Sequence, residues 1–243
     1  MFELYDRLIE GIPSGIRAES VCSGSGFTAV CADGNTGLCE TVIDQRIPMS
    51  FDSSKKYDLK ALARLAKSWN FVEASIGTAA ICCYYNDARK LEENGYKMLP
   101  IRRNPYRFMK RALVNRRVVL IDRSALLEDV FSSDVQLSIL TEKPSAPMEY
   151  PAAAADFLLE KQDAILADGR TLVRKRLPHI LTCANSVVLY GLGMPICEIS
   201  GVRAVYGFSV LDHATVQKLV CMGAPLEKLL PLLGMVHVGG EVI

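Results

Sequence analysis

The period of apolar positions changes partway along the chain. Leu4, Leu8 and Ile9 fall on one helical face, and Gly11 with Pro13 ends the helix they predict. Val21–Ser23 and Phe27–Ala32 read as short strands. Asp33-Gly34-Asn35-Thr36-Gly37 supplies turn chemistry before a third strand at Leu38–Ile43. After a polar loop at 48–57, Asp58 is placed to cap a helix carrying Leu59, Leu62, Ala63 and Ala66 at i, i+3, i+4 and i+7. Phe71–Tyr85 is apolar on nearly every face, as expected of a helix buried on all sides. Gly77 inside it predicts close approach of another backbone, since an interior helical glycine otherwise costs about 1 kcal/mol.

Farther along, short apolar runs alternate with helical stretches. The runs are Val118–Ile121, Val135–Leu140, Ala164–Ala167, Ser186–Tyr190 and Ala204–Tyr206. The helical stretches are Ala125–Phe131, Pro151–Lys161, Leu172–Ala184 with a kink or break at Pro178, and His213–Met222. Continuous apolar strands alternating with helices are the βαβ signal of a parallel sheet covered on both faces. The expected fold is therefore α/β overall: an α+β unit at 1–105, then a Rossmann-like, doubly wound parallel-sheet unit at 106–243.

Composition narrows the function. Half of the 243 residues are apolar and the formal charge is +1, which disfavours both disorder and a nucleic-acid surface. Only the segment from Arg102 to Arg117 is locally basic, and it reads as a solvated connector. No apolar run approaches the ~20 residues of a membrane span, and the acidic N-terminus is no secretory signal. The expected location is the cytoplasm, where the eight cysteines would stay thiols. No Cys-x-x-Cys pair points to a zinc ribbon, and a homodimer is expected from the prevalence of such assemblies.

Ligands of open α/β sheets bind where strands end and helices begin. Those positions offer Asp122-Arg123-Ser124, Thr141-Glu142, Asp168-Gly169-Arg170-Thr171, Gly191-Leu192-Gly193-Met194-Pro195 and Gly207-Phe208. Gly191 and Gly193 would let backbone N–H groups approach a ligand. The first strand ends in Asp122 rather than a glycine-rich turn, which disfavours conventional NAD binding, and no Walker-type loop occurs. Asp212 is placed to cap a helix beginning at His213. His179, His213 and His237 read singly as surface or packed side chains, and no spaced pair suggests a first-row metal site. Cys82-Cys83 lies inside the apolar helix, where adjacent side chains diverge by about 100°. No Gly-x-Ser-x-Gly elbow is present to support a nucleophilic triad.

Lys67-Ser68-Trp69-Asn70-Phe71-Val72-Glu73-Ala74-Ser75-Ile76-Gly77-Thr78-Ala79-Ala80, closing with Tyr84-Tyr85-Asn86, resembles the hallmark of the putative heavy-metal chelation family. Gly34-Asn35-Thr36-Gly37-Leu38 is similar to that family's hairpin turn, and Val188–Pro195 to its late strand and Gly-x-Gly-x-Pro loop. The resemblance implies an enolase N-terminal-like α+β domain beside a Rossmann-like domain, with a small-molecule site in the cleft between them. It implies metal or metal-cofactor metabolism, with a transition metal or a metal-bearing small molecule as ligand. Glu73 would be a general base or orienting carboxylate, with Asn35, Ser68, Asn70 and Asn86 as hydrogen-bonding partners of the ligand. Gly191 and Gly193 would shape the opposite wall, with Asp122 at the floor of the cleft and Asp212 a further ligand-binding residue. The chain departs from the pattern at Cys82, where the family has Asn, and at Asp122, where it tends to have glycine. Two other readings compete: an enzyme holding a nucleotide-like or pterin-like ligand in the Rossmann-like half, and a non-catalytic scaffold whose site has decayed.

Overall fold

The protein is described from a computed structural model over residues 2–43, 47–101, 104–131 and 134–242; Arg102 and Arg103 of the basic connector lie outside the described residues. In the N-terminal half, helix α1 (Glu3–Glu10) precedes a three-stranded antiparallel sheet of β1 (Ala18–Ser23), β2 (Phe27–Ala32) and β3 (Asn35–Glu40). The hairpin between β2 and β3 turns on Asp33 (φ 52°) and Gly34 (φ 68°), the doubly positive φ of a two-residue turn matched to strand twist. Asp58 accepts from the Lys60 N–H and so caps α2 (Leu59–Ala63), which tightens into a 3₁₀ turn at Arg64–Lys67.

Helix α3 (Phe71–Tyr85) follows, then the short α4 (Ala88–Glu93). Every residue of α3 from Glu73 to Cys83 is buried, because β2 and β3 cover one side and the 3₁₀ turn another. Two glycines permit this seat. A Cβ at Gly77 would lie 1.9 Å from the Ala66 amide nitrogen, and one at Gly37 of β3 would lie 2.0 Å from the Ala79 carbonyl oxygen. In both cases the obstacle is backbone.

The C-terminal half is built on an eight-stranded sheet. Its strands are β4 (Leu99–Pro100), β5 (Arg117–Ile121), β6 (Gln136–Thr141), β7 (Glu149–Pro151), β8 (Ala164–Asp168), β9 (Val187–Gly191), β10 (Val202–Val210) and β11 (Leu233–Gly239), in spatial order 4-11-10-9-8-5-6-7. The run from β7 to β10 is parallel throughout, and β11 and β4 add an antiparallel edge. The sheet is thus mixed rather than purely parallel, and one of its edge strands comes from residues before 105. The helices of this half are α5 (Met109–Ala112), α6 (Ala125–Glu128), α7 (Ala155–Leu158), α8 (Arg170–Val173), α9 (Leu177–Cys183), α10 (His213–Cys221) and α11 (Leu226–Leu229). Helices α6 and α7 are shorter than the stretches predicted at 125–131 and 151–161, α10 fills nearly all of its predicted span, and α5 and α11 were not predicted. The predicted helix at Leu172–Ala184 is divided at Lys175, which takes φ 61°. Pro178 then sits in the first turn of α9, where its missing N–H costs nothing. No helix among the described residues is long and apolar enough to cross a membrane.

The two halves are joined by a buried polar bolt. Asn86, at the C-terminal end of α3, donates through Nδ2 to the carbonyls of Met194 (2.9 Å) and Phe208 (3.0 Å) and accepts from the Ile196 N–H (2.9 Å). Its own carbonyl accepts from Ser209 Oγ at 2.6 Å. The Gly193 N–H adds a bond to the Leu38 carbonyl of β3. Cys22 of β1 and Cys221 of α10 also meet sulfur to sulfur across this boundary, with Cα atoms 5.8 Å apart, within the disulfide range. The expectation that all eight cysteines stay free thiols does not hold at that pair.

The seat of α3 is testable. Gly77→Ala is expected to destabilise the protein by about 3 kcal/mol in urea unfolding, since neither obstructing backbone can rotate away. Gly26→Ala, whose Cβ would meet open space, should stay within about 0.5 kcal/mol of wild type.

Candidate functional site

The sheet order places β5 between β6 and β8, so the chain leaves β5 in one direction and returns on its other side. That crevice, at the carboxyl ends of the strands, is the topological switch point where open α/β sheets bind ligands. Two adjoining cavities of about 200 and 690 Å³ occupy it, sharing Arg123 and Arg170. Glu40, the last residue of β3, closes the smaller one from the N-terminal half.

Arg170 organises the charges. Its Nε lies 2.8 Å from Asp168 Oδ2 and 3.5 Å from Glu40 Oε2, while Nη2 donates to the Arg123 carbonyl at 2.6 Å. The Asp168 carboxylate also accepts from the Arg170 backbone N–H at 3.0 Å. Burial pushes the Asp168 carboxyl up, against the pull of Arg170. Burial and then the Asp168 charge raise Glu40 to about 7, and water reaching its side chain, 35% exposed, moderates that shift. Two facing carboxyls with raised affinities can hold a proton near neutrality.

Two tyrosines form the floor. Tyr106 and Tyr190 meet edge to face with ring centroids 5.2 Å apart, and Phe208 packs beside Tyr106. Burial, followed by the nearby Asp168 charge, pushes both phenols well above their ordinary range, so both remain protonated donors. The Tyr106 hydroxyl is buried without a hydrogen-bond partner among the described residues, and that of Tyr190 lies near Ser124 without closing a well-formed bond. Gly191, at φ 88°, borders the Tyr106 hydroxyl, which would stand 3.5 Å from a Cβ at that position.

In the larger cavity Asp122 faces Arg174 at 3.2 Å and Arg176 at 3.5 Å. Arg176 also pairs with Glu142, and Arg123 with Glu149. Asp122 itself adopts φ 61°, the left-handed region in which glycine is free of strain. A glycine would hold this backbone without strain, and the aspartate trades strain for two arginine partners.

Of the residues that the resemblance implies as ligand contacts, Asp122 and Gly191 line these cavities, beside Arg123, Thr141, Glu142, Asp168, Arg170 and Phe208 from the strand ends expected to meet a ligand. Gly193 stands behind the wall, where a Cβ would come 2.8 Å from Cys39 Sγ. The others are engaged elsewhere in the fold. Glu73 accepts from the Ser50 N–H and hydroxyl and the Phe51 N–H through one oxygen, and from Ser68 Oγ at 2.6 Å through the other. Burial works against these bonds, yet together they hold its carboxyl below the usual range. Asn70 caps α3 through the Val72 and Glu73 N–H groups, Asn35 donates to the Cys83 carbonyl, and Asp212 caps α10 through the Thr215 N–H. Cys82 and Cys83 are buried, and burial raises both thiols well above their ordinary range, Cys83 to about 12. Glu40 and Tyr106 were not anticipated. Neither carries a motif: Glu40 reaches the site only because the two halves pack together, and Tyr106 only by folding back onto Tyr190 and Phe208.

The geometry can be set beside known proteins. Residues 5–85 and residues 108–238 each match a family described as putative heavy-metal chelation. Among solved structures, a protein of unknown function from the family of the second match, from Desulfitobacterium hafniense DCB-2, is similar over 98% of each chain, with 28% identity and a TM-score of 0.86. A second protein of unknown function from that family, from Pyrococcus horikoshii, covers 97% of each chain at 16% identity and TM-score 0.76, which shows the shared fold. No curated protein matches. By the extent of the second match, more than half of its length, the chain belongs to the putative heavy-metal chelation family.

Proposed function

We propose that the cleft between the two halves binds a small organic molecule bearing carboxylate and hydroxyl or carbonyl oxygens, taken free or as a metal chelate. The observation that carries this reading is the buried, unpartnered Tyr106 hydroxyl at the floor of a cavity at the switch point. Leaving a buried hydroxyl unmatched costs about 1–3 kcal/mol, a cost that a ligand oxygen would relieve. Arg170 and Arg123 at the junction of the cavities would hold a carboxylate, and Glu40 would share its proton with a neighbouring ligand oxygen.

A bare metal ion fits this cleft poorly. Glu40, Asp122 and Asp168 each already face an arginine, and no cysteine or histidine lines either cavity among the described residues. A soft or borderline ion would have to arrive already carried by the organic ligand. The same acidic strand ends, Asp122 and Asp168, weigh against a nucleotide phosphate in this position. Glu73 becomes a tie that holds the 50–51 loop to α3, and the acid–base role passes in this reading to Glu40 with Asp168.

Calorimetric titration of the intact protein with a panel of di- and tricarboxylates headed by citrate, each with and without Zn²⁺, tests the reading. At least one probe is expected to bind, and Arg170→Gln should weaken it by about ten- to a hundredfold, the scale of a lost charge-assisted bond. Equal affinity in wild type and a folded Arg170→Gln, or no binding by any probe, would overturn the assignment. Tyr106→Phe separates binding from folding. It should stabilise the free protein by about 1 kcal/mol while weakening the bound probe by up to about tenfold. A variant that loses stability instead would show that the hydroxyl has a partner within the protein.

A further inference from the structure

Among the described residues, the fold assembles one group of three potential metal ligands, and it lies outside the cleft. His179 and Cys183 are one helical turn apart on α9, so both side chains project from the same face. That face meets α7, which presents Asp156. His179 Nε2 lies 2.9 Å from Asp156 Oδ1, and Cys183 Sγ lies 3.8 Å from the same oxygen and 3.7 Å from His179 Nε2. All three donor atoms fall within 4.8 Å of one another. The spacing His179-x-x-x-Cys183 was the available sequence signal, hidden because its third member comes from another helix.

We infer that Asp156, His179 and Cys183 form a binding site for a borderline divalent cation such as Zn²⁺ or Co²⁺. In a tetrahedral centre with metal–nitrogen and metal–oxygen bonds near 2.0 Å and a metal–sulfur bond near 2.3 Å, donors stand about 3.3–3.6 Å apart. The observed separations differ from these by only a few tenths of an ångström. The sulfur stands 3.7 and 3.8 Å from the two imidazole nitrogens, however, so the Cys183 and His179 side chains must also rotate to share an ion, a motion open to side chains at the surface. The mixture of imidazole, thiolate and one carboxylate suits zinc-like ions and disfavours magnesium or calcium, which prefer all-oxygen shells. Binding converts the Cys183 thiol to a thiolate and releases its proton to solvent, so thiolate and carboxylate together neutralise the dication. His179 and Asp156 are 57% and 69% exposed, which leaves the fourth coordination position to water or to an incoming ligand. A surface ion pair alone would account for His179 and Asp156, but not for the sulfur directed at both.

The site shares no side chain with the cavities at the switch point, so it stands or falls apart from the ligand assigned there. The test is titration of the reduced, chelator-stripped full chain with Co²⁺, read by absorbance, followed by displacement with Zn²⁺. One equivalent should bind with a thiolate-to-cobalt charge-transfer band. Cys183→Ser should abolish the band, His179→Ala should weaken binding at least tenfold, and Cys197→Ser, altering a cysteine outside the triangle, should leave both unchanged. Circular dichroism would establish that each variant is folded. Binding without the thiolate band, or a band that survives Cys183→Ser, would overturn the assignment, as would the absence of stoichiometric binding.

Discussion

The arrangement of this protein depends on how α3 ends. Asn86 spends both functions of its amide on the opposite half, pinning the loop that contains Met194 and Ile196 and the strand that contains Phe208. Buried amides of this kind are costly unless fully matched, and this one is matched on both sides. Because α3 is itself locked by backbone contacts at Gly37 and Gly77, the bolt transmits a fixed position to the whole C-terminal sheet. Glu40 then faces Asp168, and the cleft takes its shape from that relation.

Charge in the cleft is arranged as compensated pairs rather than as an excess of one sign. Arg170 answers Asp168 and Glu40, and Arg174 with Arg176 answers Asp122. Such pairs tolerate partial burial while they remain intact. They also leave little free negative charge for a naked cation, which separates the cleft from the Asp156–His179–Cys183 triangle. The chain thus presents two chemically different places: a cleft of paired arginines and carboxylates, and a surface triangle of imidazole, thiol and carboxylate.

Much of the fold is legible from local pattern. The burial of α3, the cap of α2 at Asp58, the tight β2–β3 turn and the apolar parallel strands all follow from neighbouring residues. Strand β11 escaped because its apolar run is broken by Gly234 and His237 and closes on Gly239. The division between α8 and α9 escaped because nothing about a lysine announces φ 61°. The site was less legible, for a related reason. Polar residues in and beside a signature helix look like ligand contacts, but Asn70, Glu73 and Asn86 direct their hydrogen bonds into the fold, as does the Asn35 Nδ2 at the start of β3. Glu40 and Tyr106 acquire their environment only through tertiary packing, a relation that no spacing encodes.

Glu40 reports directly on whether the two halves meet as described. Its neutral form suits the folded cleft, so the associated stability is full below the ordinary glutamate value of 4.5 and is lost as pH climbs through about 7. Titration of its side-chain carboxyl by NMR in the intact protein should show protonation persisting toward neutrality. In Asp168→Asn the titration should move clearly downward, since the facing charge is gone and Arg170 is left to Glu40 alone. A Glu40 that titrates like an exposed glutamate in the wild type, or one indifferent to Asp168→Asn, would contradict the account.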